Sequence, residues 1–400
     1  MLLPRPLPIT FALALATLLG CSGATREHDD DAGSAMRAPV AVPTAPPAAT
    51  SLRVARPLAR GESVRIPAGV VRAGSRPNSF GRLAANEARQ IPIQVSAFSM
   101  DRLPYPNDPA LPITNNVTRD EAAALCAADN KRLCTELEWE RACEGDADVM
   151  FPGGNSFDVE SCSMEPLSCT SPFDIVSMGV MAAEWTTGMM SGVEAPTSMI
   201  RGADAFAEAG RHRCAARRGV LTTAKAETLA FRCCSGDSPE NSYPTIETRA
   251  MFEDRDVAPE TVRAIMSSLP ELAAFAPSYR RLSANDVEHT LARGNHLRGW
   301  LGEWRLAEHM LVWAPAPGEE AWIITGTSGS SSFVAAVLPM PDGTFLDIGS
   351  FFLRDETLPI AAAYNPANPR EILFSSCWGC GGESGAVLYR EDSTFAIVPR

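Results

Sequence analysis

The chain between positions 132 and 140 reads Arg132-Leu133-Cys134-Thr135-Glu136-Leu137-Glu138-Trp139-Glu140. Thr135 followed by Glu138 three residues later is a capping box, in which the threonine oxygen accepts from a backbone amide and the glutamate accepts from the threonine's own amide. The spacing therefore predicts that a helix begins at Thr135, with Leu137, Trp139 and Ala142 in its interior turns.

A second helix and several short strands are predicted on either side of this helix. Residues 118–128 carry their apolar side chains on one face, which is typical of an amphipathic helix. Residues 64–71 and 91–98 alternate apolar and polar side chains enough to be strands. Residues 146–183 have no clear period, so we expect long loops braced by disulfide bonds.

Further motifs flank this stretch in a fixed order between residues 66 and 233. They are Ile66-Pro67-Ala68-Gly69, Ala73-Gly74-Ser75, Phe151-Pro152-Gly153-Gly154-Asn155, Glu184-Trp185-Thr186, Arg201-Gly202, Arg213-Cys214-Ala215-Ala216-Arg217 and Phe231-Arg232-Cys233. Together with residues 132–140, they resemble the motifs of the formylglycine-generating enzyme (sulfatase-modifying factor) family. The resemblance implies an α+β domain over residues 62–236, with a variant C-type-lectin-like fold that is low in regular secondary structure.

The residues that carry the oxidation chemistry of that family are absent from this chain. In the family, two cysteines five residues apart bind copper just before the motif that contains Cys214, and thiolates suit Cu(I) because soft sulfur selects it. Counting back from Cys214 places these positions at Ala209 and Asp204, and residues 203–210 contain no cysteine. The resemblance therefore implies the scaffold without the copper oxidase, and we assign no catalytic residue, metal ligand or cofactor.

The same loop supplies a candidate ligand groove, formed by Asp204, Glu208 and Arg211. Asp204 and Glu208 are four residues apart, so in a helix they would form an acidic pair able to bind a cation or to act as acid and base. A solvated loop is the favoured alternative, because acidic pairs on loops are usually solvated.

A second branch of the superfamily forms sulfoxides with iron that is held by histidines. His289, His296 and His309 lie in the predicted helical region downstream, but Gly294 and Asn295 should break a helix between the first two. None of the three has a properly spaced carboxylate. Surface or helix-capping roles are therefore favoured over an iron site.

The chain has 11 cysteines, which is many for a reducing compartment. If Cys21 is lipidated, ten remain for disulfide bonds. The family resemblance implies two pairs on matching positions, Cys126–Cys233 and Cys143–Cys214. Cys134 replaces the proline of the family motif and Cys234 is an additional cysteine, so we predict that these two departures pair with each other.

The remaining four cysteines lie close together in sequence. Cys162 and Cys169 flank one loop and are expected to close it. Cys377 and Cys380 are expected to form a turn-closing disulfide, because neighbouring glycines disfavour the helix that a redox Cys-x-x-Cys usually opens. A zinc site would need two further ligands there. Free thiols are the alternative for the pairs that the family does not supply, since sequence alone does not fix connectivity.

The first twenty residues resemble a secretory signal. Arg5 gives a weakly basic start, and residues 9–19 form an apolar run too short for a bilayer, which needs about 20 residues. Gly20-Cys21 follows and resembles a bacterial lipobox, in which the cysteine is acylated. We therefore expect a lipoprotein signal over 1–20, a lipid anchor at Cys21 and a Pro/Ala-rich disordered tether over 21–61. An ordinary signal peptide with a chance cysteine is the alternative.

Residues 237–400 are expected to form a C-terminal domain that resembles no family we recognise. Apolar spacing over 257–310 is compatible with helices. From 311 to 400, short apolar runs separated by turn signals such as Pro341-Asp342-Gly343 predict antiparallel strands. The predicted fold class is thus α+β, with a helical segment and a β-rich region following the formylglycine-generating-enzyme-like domain.

Charge and motifs together narrow the function. A net charge of −13 and a pI near 5.0 disfavour nucleic acid, whose binding proteins are usually basic. The leading hypothesis is a non-catalytic binding or structural lipoprotein, anchored to the cell envelope at the outer membrane. An extracellular or periplasmic peptide or glycan is its candidate ligand. The rival hypothesis is an enzyme of the same superfamily with altered, non-copper chemistry, or one whose C-terminal domain is the active part.

Overall fold

The computed structural model describes residues 56–399 apart from 192, 238–239, 247–250, 292–303 and 379–383. Cys21, the predicted signal, most of the predicted tether, His296 and Cys380 lie outside the described residues. Ala55–Arg400 forms one compact unit. This unit is β-rich with few helices, in agreement with the α+β class.

The first half of the described chain builds three small sheets. Its strands are β1 (Ser63–Ile66), β2 (Gly69–Gly74), β3 (Arg89–Val95), β4 (Phe98–Asp101), β5 (Arg132–Leu133), β6 (Ala183–Met189), β7 (Thr197–Arg201), β8 (Arg217–Leu221), β9 (Leu229–Phe231) and β10 (Cys233–Ser235). The sheet orders are β1-β4-β10-β5, β2-β3 and β8-β7-β6-β9. In the third sheet β6 and β9 run parallel, while its other neighbours are antiparallel.

Two helices, α1 (Arg119–Ala128) and α2 (Glu136–Glu144), both begin at capping boxes. At α2 the Glu138 amide donates to Thr135 Oγ1 over 3.2 Å, and the Thr135 amide donates to Glu138 Oε2 over 2.8 Å. The predicted helix start at Thr135 is therefore confirmed. All nine residues of α2 are buried although five of them are charged, so the helix needs partners for those charges.

Arginines from outside α2 provide those partners. Three carboxylates accept hydrogen bonds over 2.6 to 2.9 Å: Glu136 from Arg217, Glu138 from Arg132 and Glu140 from Arg201. Because Arg201 ends β7 and Arg217 begins β8, the ion pairs fix one face of the helix against the third sheet.

Glu184, in β6, joins residues from separate motifs. Its carboxylate accepts from Trp139 Nε1 at 2.8 Å, from Arg232 at 2.7 and 2.8 Å, and from the Gly179 amide at 3.1 Å. These hydrogen bonds connect helix α2, the third sheet and the segment before β10. Segments more than 40 residues apart in sequence are thereby held at one buried carboxylate.

The prediction of one strand over residues 64–71 is wrong. The segment forms β1 and β2 in two different sheets, with Pro67 and Ala68 between them. Pro67 has no backbone N–H and so interrupts the ladder of hydrogen bonds. Residues 91–98 are likewise divided between β3 and β4 rather than forming one strand.

The second half forms two further antiparallel sheets. The first has the order β11 (Met251–Arg255), β14 (Met310–Ala314), β15 (Ala321–Ser328), β16 (Ser331–Pro339) and β17 (Phe345–Leu353), with β12 (Tyr279–Arg280) also on β15. The second has the order β13 (Arg305–Leu306), β18 (Ala361–Asn365), β19 (Asn368–Ser375), β20 (Ser384–Tyr389) and β21 (Phe395–Pro399). Most neighbours in both sheets are consecutive in the chain, as the antiparallel prediction for 311–400 requires.

The two sheets share one core and a helix covers the outer face of the first. Trp313 and Val334 from the first sheet pack in one cluster with Ile372 and Phe374 from the second. Helix α3 (Pro259–Ser267) contributes Val262, Ile265 and Met266 to a separate cluster with strand residues such as Val312 and Phe333. Face-to-face packing of this kind buries alternate residues of each strand.

The region predicted as helical, residues 257–310, is only partly helical. It contains α3 and α4 (Ala284–His289), but also the strands β12 and β13, and residues 292–303 lie outside the description. The strands here are two residues each and are formed by pairing with β15 and β18, which lie later in the chain. Tertiary pairing therefore overrides the local helical spacing. Within the described ranges, no helix has both the length and the apolar character needed to span a bilayer.

Four disulfide bonds are present among the described residues. They are Cys126–Cys233, Cys134–Cys234, Cys143–Cys214 and Cys162–Cys169, which are the pairs that the sequence led us to expect. Three of them join positions 71 to 107 residues apart. Two connect α1 and the residue before the N-cap of α2 to β10, and the third connects α2 to the segment before β8. The expected Cys377–Cys380 bond involves a residue outside the description.

Candidate functional site

A cavity of about 410 Å³ lies beside the loop that precedes β8. Two of the three predicted groove residues, Glu208 and Arg211, line it, whereas Asp204 lies next to it in the chain and is not part of its lining. The other walls come from residues 81–83, from β8 and from Glu391 and Asp392 in the turn before β21. The cavity is therefore built by segments from both halves of the described chain.

Two close glycine contacts fix the path of this loop. Gly202 and Gly179 both have positive φ, and a Cβ atom on Gly202 would lie 2.2 Å from the Gly179 Cα atom. Gly81 also has positive φ, and a Cβ atom there would lie 2.8 Å from the Gly210 Cα atom. A side chain at these positions would collide with the facing backbone. The close approach of the backbone segments around the cavity therefore requires glycine.

His212 holds the far end of the loop and is completely buried. Its Nδ1 lies 3.0 Å from the Gly179 carbonyl oxygen and its Nε2 lies 3.3 Å from that of Ala207. The ring stacks on Phe157 with centroids 4.5 Å apart and nearly parallel planes. With both ring nitrogens in contact with carbonyl groups, His212 acts here as a structural residue.

Three arginines in the lining are already paired with buried carboxylates. Arg213 donates to Glu87 at 2.7 and 2.8 Å, Arg217 donates to Glu136 at 2.6 Å twice, and Arg82 donates to Glu319 at 2.8 Å. These pairs are bidentate or supported by further hydrogen bonds and so brace the cavity walls. Their charge is compensated before any ligand arrives.

Arg211 and Arg218, in contrast, line the cavity without an anionic partner at salt-bridge distance among the described residues. Arg218 is half-buried, and its Nε atom is fully buried without a hydrogen-bond partner. Burial, followed by repulsion from Arg211, lowers the pKa of Arg218, and the attraction of Asp204 only partly opposes this. Two neighbouring guanidinium groups are thus available to an anion.

The expected acidic pair of Asp204 and Glu208 is not formed, because residues 204–208 are not helical. Asp204 Oδ1 accepts from the Phe206 amide at 3.1 Å and so closes a tight turn. Glu208 has extended backbone angles and precedes a short 3₁₀ turn at Ala209–His212. The favoured solvated-loop interpretation fits this arrangement better than an acid–base pair.

Four residues of the lining belong to no sequence motif, namely Leu83, Arg218, Glu391 and Asp392. Arg218 directly follows the motif that ends at Arg217, which is the single local signal that could have indicated it. Glu391 and Asp392 lie more than 170 residues away in sequence and are brought to the cavity only by the tertiary fold.

A second cavity, of about 330 Å³, contains a pair of acidic side chains, Glu144 and Asp148. Burial, followed by repulsion from the neighbouring Glu140, holds the pKa of Glu144 well above its usual range. Burial also raises the pKa of Asp148, which accepts a hydrogen bond from Gln90 Nε2 at 3.1 Å. Carboxyl groups whose pKa is raised by burial are suited to donating protons or hydrogen bonds.

A third cavity, of about 690 Å³, is lined by Met189, Met190 and Met199 together with Arg217 and Tyr243. Arg217 is paired with Glu136 and stacks on the Tyr243 ring, with its guanidinium carbon 3.8 Å from the ring centroid. Its lining thus combines thioether groups with polar side chains such as Ser191 and Ser242.

In the part of the chain that the structure describes, no group of three or more His, Cys, Asp or Glu side chains is placed to hold a metal ion. His309 is close to Asp254, with Nδ1 3.4 Å from its carboxylate. His289 is the last residue of α4, where a histidine suits the negative end of the helix dipole. Both fit the surface and capping roles that were favoured over an iron site.

No protein-family model and no curated protein matches this sequence. Among solved structures, the chain is similar to Treponema denticola variable protein 1 at 14% identity and a TM-score of 0.34, covering 43% of this chain and 94% of that one. It is also similar to PvdO from Pseudomonas aeruginosa at 14% identity and a TM-score of 0.37, covering 43% and 93%. It is similar to CarF at 14% identity and a TM-score of 0.34, covering 45% of this chain and 98% of that one. Each match covers less than half of this chain.

Proposed function

We propose that this protein is a non-catalytic binding module of the cell envelope whose ligand site is the cavity beside Arg211. The observation that carries the proposal is the presence of Arg211 and Arg218 in one cavity without anionic partners among the described residues. Unpaired guanidinium groups at a cavity favour a carboxylate, phosphate or sulfate, because they offer several N–H donors in a fixed plane. The ligand class is a peptide or a glycan that carries such a group.

The state of the cysteines supports a binding role over the family's oxidation chemistry. All eight cysteines between residues 62 and 236 are in disulfide bonds. No thiolate remains in that region to act as a soft ligand for Cu(I). The cysteines of residues 62–236 therefore fit a role in stabilising the fold through disulfide bonds.

The proposal also places residues 62–236 in the formylglycine-generating enzyme family, with its variant C-type-lectin-like fold. The sequence motifs are the support for this assignment. Trp139, Glu184 and Arg232 come from three different motifs and meet in one buried hydrogen-bond cluster. The three motifs therefore each supply a residue of one buried cluster, which is a structural role that does not depend on catalysis.

For localisation, we propose a lipoprotein anchored through Cys21, at the outer membrane. The apolar run over residues 9–19 followed by Gly20-Cys21 supports this. Four disulfide bonds fit an oxidising compartment, where such bonds persist. The net charge of −13 argues against nucleic acid as a partner.

The test is a peptide and glycan array probed with the whole mature protein, in wild-type form and as Arg218→Gln. The matched control is Arg65→Gln, which removes an exposed arginine on β1 that is not part of the cavity lining. Binding by the wild type that Arg218→Gln weakens and Arg65→Gln preserves would support the proposal. Absence of binding to both arrays would contradict it, as would stoichiometric Cu(I) binding below micromolar concentration.

The enzyme alternative has one specific observation in its favour, the cavity that holds Glu144 and Asp148. A buried acid with a raised pKa beside a second carboxyl group is the arrangement that general acid–base catalysis uses. If the array ligands are turned over, mass spectrometry will detect products. Turnover that Glu144→Gln abolishes while binding persists would favour the enzyme over the binding module.

A further inference from the structure

We infer that the ligand of the cavity beside Arg211 presents a single terminal carboxylate, as the C-terminus of a peptide does, and that Arg211 and Arg218 bind this group together. The inference rests on the proposed function and specifies the chemistry of the same site. It depends on three features of the lining, namely the arginine pair, the acidic rim and the apolar wall.

The arginine pair is the first feature. Arg82, Arg213 and Arg217 line the same cavity but are committed to Glu319, Glu87 and Glu136. That leaves Arg211 and Arg218, which lie near enough for their charges to repel. An anion between them would relieve this repulsion. A carboxylate matches the planar fork of a guanidinium group and can be shared by two of them.

The acidic rim is the second feature. Glu208, Glu391 and Asp392 line the cavity as well. Hydrogen bonds from the Thr394 hydroxyl and amide lower the pKa of Asp392, which favours its charged form. These carboxylates would repel a ligand that carries several negative charges, so the cavity discriminates against polyanions. A ligand with one carboxylate and a neutral or basic body can pair with the two arginines without being repelled by the acidic rim.

The apolar wall is the third feature. Leu83 lines the cavity with 51% of its surface exposed. The Phe80 ring lies 3.7 Å from the position that a Gly210 Cβ atom would occupy, which places an exposed aromatic ring beside a lining residue. The volume of about 410 Å³ is in the range of small-ligand sites. We therefore expect the carboxylate to be attached to an apolar residue rather than to a long acidic chain.

The experiment compares two pools of acetylated tetrapeptides with mixed sequence, identical except that one ends in a free acid and the other in an amide. Binding to the whole mature protein is measured by calorimetry. We expect the acid pool to bind at least about tenfold more tightly than the amide pool, because only the acid can form charge-assisted hydrogen bonds with the arginines. Arg211→Gln and Arg218→Gln should each remove most of that difference, and Arg65→Gln should leave it unchanged.

Arg218→Lys is the second variant, and it keeps the inference testable if Arg218→Gln misfolds. It keeps the charge but not the fork, so it should give an affinity between those of the wild type and Arg218→Gln. The thermal midpoint of each variant is measured alongside. Inorganic phosphate and acetate are added as competitors, and acetate should compete at least as well as phosphate.

The outcomes separate this inference from the proposed function. Equal binding of the acid and amide pools, with array binding intact, would overturn the terminal carboxylate and leave the binding module in place. Stronger competition by phosphate than by acetate would overturn the discrimination against polyanions. Failure of all peptides and glycans to bind would overturn both.

Discussion

Glu184 illustrates how much of this structure depends on single buried charges. It is 1% exposed and accepts hydrogen bonds from Trp139, Arg232 and the Gly179 amide. Arg232 is itself buried and has no other carboxylate at salt-bridge distance among the described residues. The pair therefore cannot be separated without leaving an uncompensated charge inside the protein.

Glu184→Gln is expected to lower the free energy of unfolding by about 3 kcal/mol, because removing one member of a buried ion pair typically costs about 3–5 kcal/mol. Urea denaturation of the purified protein measures the change. The matched control is Glu227→Gln, an exposed glutamate, which should change stability by less than about 0.5 kcal/mol. A loss at Glu184 no larger than at Glu227 would contradict the structural role assigned to this carboxylate.

Glu144 gives a prediction about pH. Its pKa is raised in the folded protein by burial and by Glu140, so the folded state binds more protons than the unfolded state above about pH 4.3, the ordinary pKa of glutamate. The stability that protonated Glu144 contributes is complete below that pH and is lost as the pH rises towards the folded-state pKa.

Glu144→Gln mimics the protonated acid at every pH. Relative to the wild type, the variant should therefore gain stability as the pH is raised from about 4.5 to 7.5, and the difference should be smallest at the acidic end. Thermal midpoints across this range measure it. Glu160→Gln, at an exposed position that begins the helical turn Glu160–Met164, is the control and should run parallel to the wild type. A constant offset between Glu144→Gln and the wild type would refute the raised pKa.

At the scale of elements, two adjacent disulfide bonds connect helix α1 and the segment directly before α2 to β10. Cys126–Cys233 and Cys134–Cys234 close loops of 107 and 100 residues separately. Once one bond has formed, however, the other closes a ring of only about ten residues, because 126 is close to 134 and 233 is next to 234. The two bonds therefore restrict nearly the same freedom of the unfolded chain.

This overlap predicts a coupling between the bonds. Removing either pair by serine substitution should cost about 2–3 kcal/mol, whereas removing both should exceed the sum of the single losses by about 2 kcal/mol, since only then is the long loop released. Chemical denaturation of the three variants measures the cycle. Cys162→Ser with Cys169→Ser is the control, and it should add independently because its seven-residue loop is separate. Strict additivity of the adjacent pairs would contradict the loop argument.

Local signals were sufficient for elements whose structure is set by neighbouring residues. The capping boxes at Thr118 and Thr135 involve residues three apart, so both helix starts can be predicted from the sequence. β18 (Ala361–Asn365) has no comparable local signal, because three alanines in a row carry little strand propensity, and its formation depends on pairing with β19. β1 and β2 were merged because alternation alone does not show that Pro67 breaks the ladder.

At the scale of the whole molecule, the candidate site could be predicted only in part. Glu208 and Arg211 lie on one loop and were identified from the sequence, but Arg218 and Asp392 reach the same cavity through tertiary packing. No periodicity in a single chain reports which charges remain unpaired after folding. That information depends on partners such as Glu87 and Glu136, which are distant in sequence from the arginines they neutralise.

The same packing joins the two halves of the described chain at a buried ion pair. Arg82 and Glu319 are both fully buried and lie 2.8 Å apart, and Arg82 also donates to the carbonyl groups of Ser75, Glu87 and Ala88. Nearby, the Asn78 side chain donates to the Phe395 carbonyl at 3.2 Å and accepts from the Phe395 amide at 2.6 Å. The halves are thus coupled through polar groups that are satisfied only when both are folded.

This coupling predicts that residues 56–399 unfold in a single transition. It also predicts that both halves lose stability when the Arg82–Glu319 pair is broken. Glu319→Gln removes the charge opposite Arg82 and should lower the free energy of unfolding by about 3 kcal/mol, as for other buried pairs. Calorimetry should show one transition in the wild type and a lower or divided transition in the variant. Glu308→Gln, an exposed glutamate of the second half, is the control and should leave the midpoint nearly unchanged. Two separate transitions in the wild type, with Glu319→Gln shifting only one of them, would mean that the halves fold independently and that the cavity between Arg211 and Asp392 is not a fixed site.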